Sequence, residues 1–343
     1  SIPVKRPVAY HRGEQSRPGM RVIRKHWFIS LLVLLAAIMV TAWFVMPGFS
    51  YAVLVAAERA HCRVYRMEVM VDDLPMAYLE GGDGEVILLL RGFTANKDHW
   101  TRVARLLTPQ YRVIAVDLPG FGESGLVDGG DYSIEAQAER IRSFVRTLGL
   151  TRVHLGGSST GGNIAGAYAA RYPETVESLW LISPLGVSGA QPSDVEQMIA
   201  SGAPSPLIIE RPGQFGDVLD IVFDNRPYLP RSVRRHLAVQ AAARYHHYQW
   251  VYGQIRDIGP DGRPLPATPL QPLLAGSPLP TLIVWGARDR VLDVSGAALL
   301  AEVMPNAQVE IMPRVGHLPM LERPEETAGR YLEFLDTLEA DPT

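Results

Sequence analysis

Short, almost uninterrupted apolar runs recur along the chain and alternate with segments of helical spacing. EVILLL (85–90) and RVIAV (112–116) are too short for helices and apolar at nearly every position, which predicts strands buried on both faces. Residues 152–156, 178–183, 281–285 and 308–312 read as further strands. Between them, residues 100–107, 133–148, 160–171, 295–304 and 324–338 repeat apolar positions at helical intervals, with Ser133 placed to cap the second of these. Upstream, 64–71 and 76–80 read as two strands around a turn at Asp72-Asp73. Strands alternating with helices predict an α/β fold with a mostly parallel, doubly wound sheet.

Two stretches break this alternation. Residues 186–275 are rich in proline and glycine, with helical pieces at 193–200 and 231–249, and are too long for a loop inside a compact domain. They read as a helical cap inserted between core halves at 64–185 and 276–343. Near the start, WFISLLVLLAAIMVTAWFVM (27–46) is free of charge and as a helix would measure about 30 Å, the thickness of a bilayer's hydrocarbon core. Pro47-Gly48 then breaks it. A signal peptide would have a shorter apolar stretch, of about 7–15 residues, so 27–46 is read as a retained transmembrane anchor.

Charge adds an orientation. The total is −3, but residues 1–26 hold seven basic side chains against Glu14, a local balance of +6, so the rest of the chain carries −9. The positive flank predicts that 1–26 stays cytoplasmic and that the body lies across the membrane. Arginine supplies 30 of the 33 basic residues, a bias expected of a GC-rich bacterial genome, and the expected location is therefore the periplasmic side of a bacterial inner membrane. An acidic body argues against nucleic acid as a partner. The lone cysteine, Cys62, cannot form an internal disulfide and reads as an ordinary small residue.

The chemistry-bearing motif is Gly157-Ser158-Ser159-Thr160-Gly161, a G-x-S-x-G placed after an expected strand and before an expected helix. There the central Ser159 sits on a sharp turn that exposes its hydroxyl. A serine hydroxyl needs a base and a group to orient that base. His317 and Asp289 each follow an expected strand, and the order Ser159, Asp289, His317 is the chain order for hydrolases with this kind of sheet. Asp289 is preferred as the acid. Asp293 is the reserve, since it is placed to cap the helix near Ser295, and Glu310 is expected to point along its strand. Loop 91–94 follows EVILLL at the same end of the sheet, so the backbone N–H groups of Phe93 and Thr160 are the candidate oxyanion donors. Neither G-x-x-x-x-G-K-[ST] nor H-E-x-x-H occurs.

Residues 85–184 and 279–338 resemble the α/β-hydrolase superfamily, and more narrowly its membrane-anchored monoacylglycerol lipases and related bacterial lipases. The stretches that carry the resemblance are RGFTANKDHW (91–100), VIAVDLPGFGES (113–124), GGSSTGG (156–162), WGARDRVLDVSGA (285–297) and VGHLPMLERPEE (315–326). It implies Ser159 as nucleophile, Asp289 as acid, His317 as base, an oxyanion hole at Phe93 and Thr160, a lipid-ester substrate and no metal or organic cofactor. Two positions depart from it: Arg91 stands where the superfamily usually has histidine, and Ser158 where it commonly has asparagine. Arg91 is expected to make a structural ion pair, with capture of an anionic headgroup as the alternative.

Thioesterases and C–C bond hydrolases share such a triad, and a non-catalytic anchored binding module is the reading from another class. Dehalogenases and epoxide hydrolases place aspartate where Ser159 stands. Asp117 is expected to serve its loop structurally, and Tyr245–Trp250 to pack the cap rather than hold a metal, because neighbours on a helix point in different directions.

Overall fold

The protein is described here by a computed structural model covering residues 18–127 and 129–340. Two helices come first, α1 (Pro18–Val45) and α2 (Pro47–His61). Met46 between them is extended, and Pro47 opens α2 at its first position, where the fixed φ suits a helix and the missing N–H costs nothing. The expected break at Pro47-Gly48 is therefore a hinge between two helices rather than an end to helix. Trp27 to Met39 of α1 are exposed. Among the described residues, which in α1 run unbroken from Trp27 only to Met39, no helix is long and apolar enough to cross a membrane. Of the basic segment 1–26, residues 1–17 lie outside the described residues.

The body is a sheet of eight strands: β1 (Tyr65–Val71), β2 (Leu74–Gly81), β3 (Val86–Leu90), β4 (Arg112–Val116), β5 (Val153–Ser158), β6 (Val176–Ile182), and, after the hairpin strands β7 (Arg256–Ile258) and β8 (Pro264–Pro266), β9 (Thr281–Gly286) and β10 (Ala307–Met312). Its order is β1-β2-β4-β3-β5-β6-β9-β10, antiparallel at the first two pairings and parallel across the rest. Asp72 and Asp73 turn the first hairpin, both at positive φ (46° and 64°), as a two-residue turn matched to strand twist requires.

Helices α3 (Thr101–Leu107), α4 (Ile134–Thr147) and α5 (Thr160–Arg171) link the central strands. From β3 the chain crosses one way to β4, then back over β3 to β5 and onward to β6. Right-handed crossovers running in opposite directions put α3 on one face and α4 with α5 on the other. The centre of the sheet is thus buried on both sides, with Ile87–Leu90 and all of β5 buried, which is why both read as mainly apolar or small runs, whereas the edge strands β1 and β10 are largely exposed. Ser133 does cap α4, accepting the Ala136 N–H at 3.2 Å. After β9 come α11 (Ser295–Ala301), α12 (Pro319–Glu322) and α13 (Pro324–Ala340), and Tyr331 of α13 stacks on Trp180 of β6 at 3.9 Å between ring centres.

Between β6 and β9 lie α6 (Asp194–Ala200), α7 (Phe215–Val222), α8 (Arg231–Ala243), α9 (Tyr245–Ile255), the β7–β8 hairpin and α10 (Leu270–Leu274). The single helix expected over 231–249 is broken at Arg244 (φ −100°, ψ 13°) into α8 and α9. This kink turns Tyr248 and Val251 into the core while Trp250 stays outside. α8 packs on α2, with His236 stacked on Tyr51 at 4.4 Å.

Candidate active site

The strand order reverses around β3, whose neighbours are β4 and β5, and open α/β sheets bind ligands outside the carboxyl ends of the strands at that point. The loops after β3 and β5 meet there. Ser159, between β5 and α5, has φ 54° and ψ −121°, a strained conformation that a side chain adopts only when its surroundings hold it, at a cost of about 1–3 kcal/mol. The hold is visible: Ser159 N–H donates to Ile182 O at 3.0 Å, and Ser159 O accepts from Leu185 N at 2.9 Å. The glycines of the motif serve that turn. A Cβ on Gly157 would strike Gly161 O, and one on Gly161 would strike the carbonyl oxygens of Leu90 and Arg91.

Asp289 and His317 come together from loops after β9 and β10. His317 Nδ1 is 2.7 Å from Asp289 Oδ2, and both residues are buried. Asp289 Oδ1 accepts the Val291 and Leu292 N–H groups at 2.8 and 3.0 Å. An ionised carboxylate only accepts, so the ring proton sits on Nδ1 and Nε2 is the free base. Asp293 instead caps the start of α11, accepting Ser295 N–H at 2.9 Å, and Glu310 pairs with Arg330 at 3.4 Å.

Ser159 and His317 line one cavity of about 360 Å³ with Gly92 and Phe93. An alanine-like Cβ at Gly92 would lie 3.2 Å from Ser159 Cβ and 3.8 Å from its Oγ, so the loop after β3 lies directly over the serine. Thr160 opens α5, where first-turn N–H groups have no acceptor within the helix. One part of the wall is apolar and comes from the segment between β6 and β9 (Ile209, Phe215, Leu219, Val233, Leu237) and from Val55 of α2. Near the β3 loop the lining turns polar, with Asn96, Asp98, Glu123 and Arg244.

Arg91 does not make the expected ion pair. Among the described residues it faces no carboxylate at salt-bridge distance. It is buried, its Nη1 donates to Gly92 O at 2.6 Å, and its guanidinium lies 3.4 Å over the Phe121 ring. Burial pushes its pKa down to about 9, against the pull of the Asp117 charge, so it stays cationic at neutral pH. Asp117 belongs to a different set. Its Oδ1 accepts Lys97 N–H, and its Oδ2 accepts Lys97 Nζ and Glu123 N–H, all within 2.9 Å. Glu123 continues the network to Lys97, Arg59 and Arg66. Of the Tyr245–Trp250 run, Tyr248 packs on Phe121 (5.9 Å, 16°) and His247 Nε2 lies 2.8 Å from Gly120 O, and among the described residues no cluster fit for a metal occurs.

Two features escaped the sequence. Glu322 holds the histidine loop, its Oε1 accepting Gly316 N–H at 2.7 Å and its Oε2 accepting Asn225 N–H at 2.9 Å. Its only signal was its place in the segment after His317. Tyr51, Val55 and Glu58 line the cavity from α2, and nothing in the spacing of 47–61 announces a cavity wall.

Residues 87–330 match the alpha/beta hydrolase family, and the chain belongs to it. It is 39% identical over 269 residues to Lipase 1 of Psychrobacter immobilis, spanning 77% of this chain and 82% of that protein. To the monoacylglycerol lipase ABHD6 of Homo sapiens it is 34% identical over 257 residues, 73% of this chain and 74% of that one. A solved membrane phospholipase A, described as a bacterial virulence factor, superposes with a TM-score of 0.82 at 40% identity, covering 92% of this chain and 100% of that chain. The chain is a member of the lipase and esterase type, an ester hydrolase.

Proposed function

We propose that the protein is a membrane-anchored serine lipase that cleaves monoacylglycerols or similar short lipid esters through an acyl-enzyme. The observation that carries this reading is His317, paired with Asp289, lining a cavity that also holds Ser159 at its strained turn and has an apolar wall of Ile209, Phe215, Leu219, Val233 and Leu237. In this reading His317 Nε2 takes the Ser159 proton as Oγ attacks the ester carbonyl. Asp289 keeps the productive tautomer and stabilises the imidazolium. The Phe93 and Thr160 N–H groups receive the oxyanion. His317 then gives its proton to the leaving alcohol, and water, activated by the same base, releases the fatty acid.

The division into cytoplasmic segment 1–26, anchor 27–46, core halves 64–185 and 276–343 and cap 186–275 belongs to this proposal. So does the periplasmic orientation. What supports the anchor is the uncharged stretch within α1, the exposure of Trp27–Met39, and likeness to a protein described as a membrane phospholipase. That likeness also favours a second reading, a glycerophospholipid substrate, because it extends over nearly the whole chain.

The test is fluorophosphonate labelling of the full chain beside Ser159→Ala, followed by turnover of monoacylglycerols of graded length, a diacyl phospholipid and an acyl thioester. Labelling lost in the variant with monoacylglycerol turnover supports the first reading, and preference for the phospholipid supports the second. Equal labelling of both proteins overturns the nucleophile. Release of the full chain from membranes by alkaline carbonate overturns the anchor.

A further inference from the structure

A buried cation without a carboxylate partner is expensive to keep, and among the described residues Arg91 has none at salt-bridge distance. Its strongest contact is to the loop it belongs to: Nη1 donates to Gly92 O at 2.6 Å, a bond that the Ala95 N–H shares at 3.3 Å. The rest of the guanidinium is carried by the Phe121 face at 3.4 Å, and its Nε has no acceptor among the described residues. Phe121 is itself clamped, stacked on Tyr248 of α9 and edge-on to Phe93 at 6.4 Å. The guanidinium is thus held by aromatic packing and aimed at one carbonyl.

That carbonyl has a partner on the other side of its peptide plane. Gly92 C=O and Phe93 N–H share one trans peptide unit, in which oxygen and hydrogen point in opposite directions. A donor fixed on the oxygen therefore fixes the direction of the N–H. Among the described residues that N–H meets no acceptor, and Gly92 lies against Ser159. Thr94, two residues on, has φ 58°, so the loop turns through a conformation it would not hold unaided. A cation on the carbonyl also polarises the peptide and makes its N–H a stronger donor.

We propose that Arg91 is a positioning residue for the oxyanion site, gripping the Gly92 carbonyl so that the Phe93 N–H faces the reacting centre. It acts through the peptide and never touches substrate, which fits a side chain 1% exposed and removes the headgroup role considered for it. The inference rests on the reading of Ser159 as nucleophile.

The experiment compares the full chain with Arg91→Met, Arg91→Lys and Phe121→Leu on a soluble short-chain ester, with melting temperature recorded for each. It also measures affinity for a trifluoromethyl ketone, which forms a charged tetrahedral adduct, and for the fatty-acid product. Removing one oxyanion donor costs about 10²–10³ in kcat, and a displaced donor is expected to cost roughly 10–100-fold of that kind. Arg91→Met should lose kcat and ketone affinity by the same factor while KM and product affinity hold. Arg91→Lys should recover part of the loss, and Phe121→Leu should show a smaller loss with the same pattern. Wild-type kcat in Arg91→Met overturns the inference. So does a parallel fall of kcat, product affinity and melting temperature, the mark of a merely structural residue. Fluorophosphonate labelling separates the two layers: if Ser159→Ala labels like the full chain, the nucleophile reading fails and this inference with it, whereas a serine-dependent label beside unchanged Arg91→Met turnover removes this inference alone.

Discussion

His317 Nδ1 lies 2.7 Å from Oδ2 of Asp289, and the other oxygen of that carboxylate is already occupied by two backbone N–H groups, from Val291 and Leu292. The acid cannot rotate without abandoning those donors. Asp289→Asn is therefore expected to keep its carbonyl oxygen toward Val291 and Leu292 and turn its NH₂ toward Nδ1. That forces the proton onto Nε2 and leaves no base for Ser159. The expected loss in kcat at neutral pH is on the order of 10³–10⁴-fold. Asp293→Asn, which touches only the start of α11, should keep wild-type turnover. Steady-state kinetics on both variants decides between the two carboxylates.

Gly161 and Gly253 should respond to alanine with opposite signs. At Gly161 the methyl group would enter the Leu90 and Arg91 carbonyl oxygens. β3 and its following loop must move away, costing about 1–3 kcal/mol and turnover together. Gly253 lies inside α9 with open space around it, and alanine there should add roughly 0.5–1 kcal/mol through helix propensity alone. Denaturant melts of the two variants, with activity in parallel, check both signs.

Acid should unmake the network that ties α2 to the loop after β4. Burial acts to raise the Glu123 pKa, but hydrogen bonds from Arg66, Lys97 and Arg59 outweigh it and hold the carboxyl at about 2. A carboxylate with a depressed folded pKa contributes stability that is complete above its ordinary value of about 4.3 and is lost as pH falls through the folded value. Glu123→Gln should therefore be less stable than wild type at neutral pH, with the difference shrinking between about pH 4.5 and 2. Melting temperatures across that window test it, and a constant difference would mean the charge contributes nothing.

Leu237 of α8 stands on the apolar wall of the cavity. Leu237→Trp should shorten the space for an acyl chain and lower kcat/KM for long-chain esters by roughly 10-fold or more, while butyrate esters, which need only the end near Ser159, keep wild-type rates. A uniform loss across chain lengths would place the acyl chain elsewhere.

Much of this protein is readable along the chain because its signals are local. Buried parallel strands are apolar at nearly every position, and β4 runs over the 112–116 that this rule predicts, as α5 runs over the 160–171 that helical spacing predicts. The turn at Ser159 needs small residues on both sides, so Gly157 and Gly161 announce it. The acid and base follow strand ends, where this kind of sheet collects its chemistry. Other features depend on residues far apart in sequence. Trp27–Met39 of α1 are exposed, so among the described residues the fold supplies no apolar cover for that run. The break at Arg244 is decided by the aromatic packing it allows, not by local propensity. Glu322 becomes the support of the histidine loop only because α12 folds back under Gly316 and Asn225. Arg91 shows the difference most clearly: its charge led to the expectation of an ion pair, but the fold gives Asp117 to Lys97 and leaves Arg91 the Phe121 face and a carbonyl. Residue types and spacings determined which groups could react, whereas the closure of distant loops determined which of them share a hydrogen bond.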